Sequence, residues 1–409
     1  MFRTMYALRF FAVLSLLAAF ILGGAGPRLS AHAQSITPRA ALVRVLTAPR
    51  EQPEWFAPAF LAQVSAAQIE QVVAGVKAQF GPYQGVAPQP DGSYLVTFAR
   101  GTVKAQIHLD GQGRIDGLLF TKPQFAYVSR SAAVQGLRAL RGQVSLLVTA
   151  GGADMTAIDP DRSLAVGSAF KLAVLTAVQQ RIKAGQLSWE RMVTLRAADK
   201  SLPSGILQTK PAGSRYSVAA LARYMISISD NTAADLLIRL VGRAAIAPLI
   251  PARDRPILTT RELFVLKDPA HRDVRDRYLA ASPADRLTIL ARVDRLPLPS
   301  LRVLGPLFAR GPVSPELEYF FSARHLCTLI GQVRQLPQMS VNPGVANPSD
   351  WARVAFKGGS EPGVINLTTL VTAHNGANYC VSATWNDSAL LDEGRFESLY
   401  SSLLHSLAS

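Results

Sequence analysis

Charged side chains are scarce in this chain of 409 residues: they make up 17% of it, against 49% hydrophobic residues. A sequence of this composition can bury a sizeable core, which excludes large-scale disorder. Acidic residues are fewer than basic residues, 28 against 43, and the formal net charge is +15. No run of Lys or Arg alternates with aromatic residues, so nucleic-acid binding is not indicated. The charge could attract an anionic substrate or cell envelope, and a solvated basic surface explains it at least as well.

Cysteine is nearly absent, since the sequence holds only Cys327 and Cys380. No spacing of Cys and His is typical of a zinc site, so no metal centre is predicted. An exported protein could join the two cysteines. The sequence leaves this pairing open, because a disulfide also requires that their Cα atoms lie close together.

The N-terminus has the features of a secretory signal. Arg3 belongs to a positively charged start, residues 10–26 are nearly all apolar, and Ala31 and Ala33 provide the small residues before a cleavage point. We therefore expect residues 1–33 to be removed from an exported protein, periplasmic or extracellular. An uncleaved membrane anchor is the less favoured alternative, because the apolar run is short for a span. The mature form is expected to be free of the membrane.

The length suggests two domains, at about 100–200 residues per domain. Residues 34–53 are polar and rich in proline, which predicts a linker. Residues 54–135 are predicted to form a small α+β domain, because a helical pattern is followed by short alternating segments separated by Asp-Gly turn signals. Residues 142–409 are predicted to form a second domain. Strand-like segments lie at both of its ends with helices between them, which favours one sheet built from both ends.

The first motif that can carry chemistry is Ser168-Ala169-Phe170-Lys171, at the start of an apolar helical run. Residues three apart share one face of a helix, so the lysine amine can lie beside the serine hydroxyl. A serine becomes a good nucleophile when a base takes its proton, and a lysine can be that base when burial lowers its pKa. Taken alone, the motif is better explained by a helix-surface lysine.

The second motif, Ser229-Asp230-Asn231, interrupts the strongly apolar helical region 221–240. Burying polar groups without partners is costly, so three in succession need an explanation. Ser229 could relay a proton between Lys171 and a leaving group, and the amide of Asn231 could hold both Lys171 and a substrate amide. A polar turn between two helices is the structural alternative.

The third motif, Lys357-Gly358-Gly359-Ser360, follows a short apolar run. A strand ending in two glycines lets a substrate backbone lie against it, which makes Gly359 a candidate binding residue. Lys357 offers a fixed positive charge to a substrate carboxylate. The backbone N–H of Ser360 could pair with that of Ser168 as an oxyanion hole. A plain transition from strand to loop is the alternative.

Together the three motifs resemble those of class A β-lactamases and penicillin-binding proteins, in the same order. The interval from Ser168 to Ser229 is close to that family's usual one, and the segment SDNTAADLL continues the second motif over 229–237. The resemblance covers about residues 142–409. It implies a three-layer α/β/α sandwich with an all-helical subdomain, and a site between the two. The site residues would be Ser168, Lys171, Ser229 and Ser360 for catalysis, with Asn231, Lys357 and Gly359 for substrate binding.

Three features depart from that family's pattern. Gly358 stands where Thr is usual, so a hydroxyl that normally helps to bind the substrate carboxylate is missing. The interval from Ser229 to Lys357 is longer than usual for class A. Glu262 lies near the expected distance for the family's deacylation glutamate, but the usual Asn is missing, and an ordinary structural carboxylate is at least as good an interpretation. Without a base that positions water, an acyl-enzyme would turn over slowly.

The small N-terminal α+β domain, the Phe356-Lys357-Gly358 sequence in the third motif and the absence of a clear deacylation glutamate look most like one branch. This branch contains the β-lactamase-like serine hydrolase of the clavulanic acid gene cluster. Its members pair a small steroid-isomerase-like domain with the β-lactamase-like domain. For residues 54–135 the resemblance implies a steroid-isomerase-like α+β fold without site residues of its own.

The predicted activity is that of a β-lactamase, which acts through a covalent serine ester. The partner would be a small molecule, a β-lactam or an ester that carries a carboxylate. An esterase or a D-alanyl-D-alanine carboxypeptidase would use the same chemistry, a penicillin-acylated sensor would stop at the ester, and an inert envelope protein would keep only the fold. We expect no cofactor, no metal, no nucleic acid and a monomer.

Overall fold

The computed structural model describes residues 36–408, which divide into two compact units. Within this range, one unit holds residues 36–128 together with 392–402, and the other holds the remainder. The predicted signal peptide lies outside the described residues. None of the helices in the described part of the chain has the length and apolar character needed to cross a bilayer.

The first unit places helices before an antiparallel sheet whose strand order is β1-β2-β3-β4. This is an α+β arrangement, and its likeness to steroid isomerases stays a prediction. The elements are α1 (Pro38–Thr47), α2 (Pro58–Leu61), α3 (Ala66–Phe80), β1 (Tyr83–Pro88), β2 (Tyr94–Phe98), β3 (Gly101–Leu109) and β4 (Ile115–Phe125).

The segment 34–53, expected to be a linker, instead contains helix α1. Thr37 caps the helix and Pro38 occupies its first turn, where a missing N–H costs nothing. Its buried residues, Ala41, Leu42, Val45 and Leu46, recur at helical spacing and therefore form one apolar face. Pro38, one of the prolines that suggested a linker, thus marks the start of a helix.

The second unit contains a five-stranded antiparallel sheet in the order β11-β12-β13-β5-β6. Its strands come from both ends of the domain, as the sequence predicts. They are β5 (Gln143–Ala150), β6 (Ala153–Ile158), β11 (Arg353–Glu361), β12 (Val364–Thr372) and β13 (Asn378–Asn386). Two short antiparallel pairs lie outside this sheet: β7 (Leu164–Ala165) with β10 (Phe320–Phe321), and β8 (Met192–Thr194) with β9 (Arg215–Ser217).

The second unit also contains the helices α4 (Arg130–Arg138), α5 (Lys171–Lys183), α6 (Val218–Ser227), α7 (Asn231–Val241), α8 (Arg243–Ile246), α9 (Thr260–Lys267), α10 (Arg272–Ala280), α11 (Pro283–Val293), α12 (Leu301–Phe308) and α13 (Ala323–Val333). One helix of this unit, α4, precedes β5, and the helices α5 to α13 lie in the sequence between β6 and β11. The first eight residues of α5 are all buried, so this helix forms the centre of the core.

The last helix, α14 (Glu393–His405), changes the predicted domain boundary. Residues 392–402 belong to the first unit, where Gln79 Nε2 donates to Glu397 Oε2 at 3.1 Å and Arg100 pairs with Asp392 at 3.0 Å. A contiguous domain over 142–409 is therefore wrong for this segment. The partners are distant in sequence, which is why a local pattern did not reveal them.

Cys327 on α13 and Cys380 on β13 form a disulfide, with Cα atoms 5.9 Å apart. The bond fastens a core helix to the sheet. Because it closes a loop of 53 residues, the entropy lost by the unfolded chain corresponds to about 4 kcal/mol of stabilisation.

Candidate active site

Ser168 lies in a tight turn, Gly167–Phe170, that leads directly into α5. The sequence predicts a helix here, and the structure shows one short helical turn of 3-10 type before the regular helix. The ring of Phe170 stacks on Tyr319 with centroids 3.7 Å apart, which anchors the turn in the core. The turn aims the hydroxyl of Ser168 at Lys171, whose Nζ lies 3.1 Å away.

Lys171 is fully buried, and its amine contacts both of the first two motifs. Burial lowers the pKa of Lys171 to about 7, although the negative charges of Asp230, Asp235 and Glu361 oppose the shift. A lysine whose pKa lies near 7 can exist as a free amine at physiological pH. This amine can therefore accept a proton from a neighbouring hydroxyl.

The hydrogen-bond partners of the Lys171 amine show how its lone pair becomes available to accept that proton. Nζ donates to the backbone oxygen of Ser229 and to Oδ1 of Asn231, both at 2.6 Å. The hydroxyls of Ser168 and Ser229 lie at 3.1 Å. A neutral amine has two N–H bonds and one lone pair. The two oxygens that can only accept take the N–H bonds, which leaves the lone pair for a serine hydroxyl.

Ser229 occupies a left-handed backbone conformation with φ of 55°, which is uncommon for a residue with a side chain. In this conformation its carbonyl accepts from Lys171 and from Ser204 Oγ, and its hydroxyl lies 3.1 Å from the Nζ atoms of both Lys171 and Lys357. The hydroxyl thus connects the two lysines, as a proton relay requires.

Asp230 and Asn231 hold this arrangement in place. Asp230 caps α7 by accepting from Ala233 N at 2.8 Å, and its other oxygen accepts from the N–H groups of Ile206 and Leu207. Asn231 Nδ2 donates to Leu202 O at 3.1 Å, which fixes the amide so that Oδ1 faces Lys171. The polar triplet is therefore satisfied by the chain itself.

Strand β11 carries the third motif to the other two. Lys357 is buried, and burial followed by the charge of Lys171 lowers the pKa of Lys357 well below its usual value. Both causes disfavour the positive charge that the sequence analysis expects on Lys357. Two adjacent buried amines disfavour each other's protonation, so an anionic ligand would be needed to hold the charge on Lys357.

Gly359 is explained by close packing within the chain. A Cβ at this position would stand 2.1 Å from Val166 O and 2.4 Å from Ser168 N. A Cβ on Gly167 would stand 3.0 Å from Ser360 N. The backbone N–H groups of Ser168 and Ser360 therefore lie on segments in direct contact, where both can face one oxyanion.

Gly358, which replaces the usual Thr, lies beneath the ring of Phe356. A Cβ on Gly358 would come within 2.9 Å of Phe356 Cζ, and Gly344 lies against the same ring. The aromatic ring therefore fills the space that a Thr side chain would need.

Glu262 is not brought to this cluster. Its carboxylate pairs with Arg243 and accepts from Thr259 N at 2.7 Å, as part of the cap of α9. It is fully buried in these contacts. The interpretation of Glu262 as a deacylation base is wrong by this geometry, because sequence distance did not indicate which face of α9 it occupies.

Sequence reasoning missed Asp235, which joins α7 to α9. Its carboxylate accepts from the N–H and hydroxyl of Thr260 and from Arg261 N. Burial raises the pKa of Asp235 to about 7 against these hydrogen bonds. A polar residue one helical turn after Asn231 on an apolar helix was the available signal. Within the described residues, no group of His, Cys, Asp or Glu has the arrangement of a metal site.

Residues 130–296 match the model of the β-lactamase enzyme family. Among solved structures, the β-lactamase from Sphaerobacter thermophilus is similar at 20% identity, with 69% of this chain and 97% of that chain covered and a TM-score of 0.48. PBP-A matches at 17% identity, over 69% and 99% of the two chains, with a TM-score of 0.46. A β-lactamase from Chitinophaga pinensis matches at 15% identity, over 68% and 97%, with a TM-score of 0.46. The range that matches the family model, residues 130–296, includes the first two motifs and ends before the third.

Proposed function

We propose that this protein hydrolyses β-lactams through an ester on Ser168, and the match of residues 130–296 to the model of the β-lactamase enzyme family supports this. The observation that carries the proposal is the buried amine of Lys171, 3.1 Å from Ser168 Oγ and lowered in pKa to about 7. A β-lactam is the preferred substrate class because the range that matches the β-lactamase family model includes Ser168, Lys171 and Ser229.

In the acylation step, Lys171 takes the proton of Ser168, and Ser168 Oγ bonds to the lactam carbonyl carbon. The N–H groups of Ser168 and Ser360 face the oxyanion. The C–N bond then breaks, and the proton passes from Lys171 through the Ser229 hydroxyl to the departing nitrogen. A substrate carboxylate beside Lys357 would favour the charged form of that lysine and so orient the ligand.

The test combines a chromogenic cephalosporin, followed by absorbance, with intact mass after exposure to a penicillin. We expect cephalosporin hydrolysis, and a mass increase equal to one penicillin under rapid quenching. Ser168→Ala must lose both signals, whereas Ser188→Ala, which alters an exposed serine of the same unit, must keep them. If the Ser168→Ala variant is acylated as well, the proposed nucleophile is wrong.

An esterase or a D-alanyl-D-alanine carboxypeptidase is the second candidate, supported by the missing Thr hydroxyl at Gly358 and the ring of Phe356 in its place. These features reduce the polar contacts available to a lactam carboxylate. Hydrolysis of p-nitrophenyl esters or of a D-Ala-D-Ala peptide, without cephalosporin turnover, would favour this candidate.

We also propose that the protein is exported. The N-terminal signal pattern motivates this, and the disulfide between Cys327 and Cys380 is in keeping with an oxidising compartment. N-terminal sequencing of protein secreted by a host cell checks the proposal, and a mature chain that still begins at Met1 would contradict it.

A further inference from the structure

Strand β11 places a second charged residue on the face that bears Lys357. Successive side chains of a strand point to opposite faces, so Lys357, Gly359 and Glu361 share one face. Gly359 is the residue in contact with Ser168 N. Lys357 and Glu361 therefore lie on either side of the residue that contacts the turn bearing Ser168, each about 7 Å along the strand from Gly359.

The carboxylate of Glu361 is held by Lys267, at the end of α9. Lys267 Nζ lies 3.7 Å from Glu361 Oε2 and also pairs closely with Glu318. The side chains of Lys267 and Glu318 are 2% exposed, whereas that of Glu361 is 22% exposed. Glu361 is thus the member of this ionic group that water reaches.

Three carboxylates act on the charge of Lys171: Asp230, Asp235 and Glu361. Asp230 and Asp235 are fully buried, and both oxygens of each accept hydrogen bonds from backbone N–H groups. Because both side chains are fully buried, solvent does not reach either carboxylate. Glu361 has solvent access and pairs with Lys267, which leaves acceptor sites of its carboxylate able to accept from water.

We propose that Glu361 is the base that activates water for release of the acyl group from Ser168. This rests on the proposed function, since it requires an ester on Ser168. Glu361 takes one proton from a water molecule, and the water oxygen bonds to the acyl carbon. The bond from that carbon to Ser168 Oγ breaks, and the proton returns from Glu361 to Ser168 Oγ through Lys171. The product is a free acid.

The electrostatic surroundings of Glu361 suit this role. Burial raises the pKa of Glu361 to about 7, with Lys267 and Lys171 lowering it and Glu318 raising it. A general base is most effective when its pKa lies near the working pH. Deacylation should therefore quicken as the pH rises through about 7, because the carboxylate form is then populated.

The experiment follows the mass of the penicillin-acylated protein over time in wild type, Glu361→Gln and Glu318→Gln. Glu318 is the matched control, because it shares Lys267 with Glu361 and is fully enclosed. We expect acylation at similar rates in all three, which also shows that each variant is folded. Loss of the acyl group should be slowed about 100-fold or more in Glu361→Gln, the usual contribution of a general base, and little changed in Glu318→Gln.

Release from Glu361→Gln at the wild-type rate would overturn the proposal, and so would equal slowing in Glu318→Gln, which would indicate a structural role of the ion pair. Glu361→Asp gives an independent readout, since slowed release that keeps the rise with pH supports a carboxylate base. A wild-type release rate that does not change between pH 5 and pH 8 overturns it. If the wild type is never acylated, the proposed function itself fails, and this outcome is distinct from all the others.

Discussion

Lys171 and Lys357 share one hydrogen-bond partner, the hydroxyl of Ser229, which lies 3.1 Å from each Nζ atom. Two ammonium groups at these distances in a buried site would repel each other, so the pair favours at most one charge. The different roles of the two lysines follow from this relationship. The lowered pKa of Lys171 favours its free amine beside Ser168, and an anionic ligand would favour the charged form of Lys357.

The pH dependence of acylation tests the state of Lys171. Its pKa is lowered to about 7, so below that pH the amine is protonated and cannot accept from Ser168. The acylation rate should fall about tenfold per pH unit below the pKa and level off above it. Stopped-flow measurement of acylation between pH 5 and pH 9 checks this.

Lys171→Arg is the matching variant, because an arginine keeps the positive charge but does not lose its proton. We expect acylation to fall by at least about 100-fold, the usual contribution of a general base. A variant that acylates at the wild-type rate would show that another group deprotonates Ser168.

Gly359→Ala tests the contact between β11 and the turn that carries Ser168. The new methyl group would overlap Val166 O and Ser168 N, so either the strand or the turn must move. A misplacement of about 1 Å can cost about 100-fold in rate, and we expect such a loss in acylation. Gly331→Ala on α13, where nothing lies within 4 Å of the new Cβ, is the control and should retain full activity.

The Glu262→Gln variant tests whether Glu262 contributes to the stability of the fold or to the release of the acyl group. The variant weakens the pair with Arg243 and should lower the free energy of unfolding by about 1–3 kcal/mol, measured by urea denaturation. The lifetime of the acyl-enzyme should be unchanged, because the carboxylate faces Arg243 and the cap of α9. A lifetime prolonged 100-fold would restore Glu262 as the deacylation base.

The disulfide can be tested by comparing wild type with the double variant Cys327→Ala, Cys380→Ala. The loop-entropy argument predicts a loss of up to about 4 kcal/mol in the free energy of unfolding. Urea denaturation of the oxidised and reduced wild type supplies the control, since reduction should reproduce the loss. An unchanged midpoint would mean that the bond does not form in solution.

Much of the site could be predicted from the sequence because its parts are short local patterns. Ser168 and Lys171 are three residues apart, and the spacing of a helical turn alone brings them together. The strands at both ends of the second domain likewise indicate one sheet, and for these features local spacing and periodicity were sufficient. That the three motifs meet in one site was implied by their resemblance to those of class A β-lactamases and penicillin-binding proteins.

Other features depend on partners far apart in the chain. The direction of Glu262 toward Arg243, the approach of Glu361 to the site and the charge state of Lys357 were decided by packing, because burial and neighbouring charges determine a pKa and a local pattern does not. The same holds for the bond between Cys327 and Cys380. The sequence by itself determined which reactive groups are present, and the tertiary structure decided which of them meet, which remain charged and which water can reach.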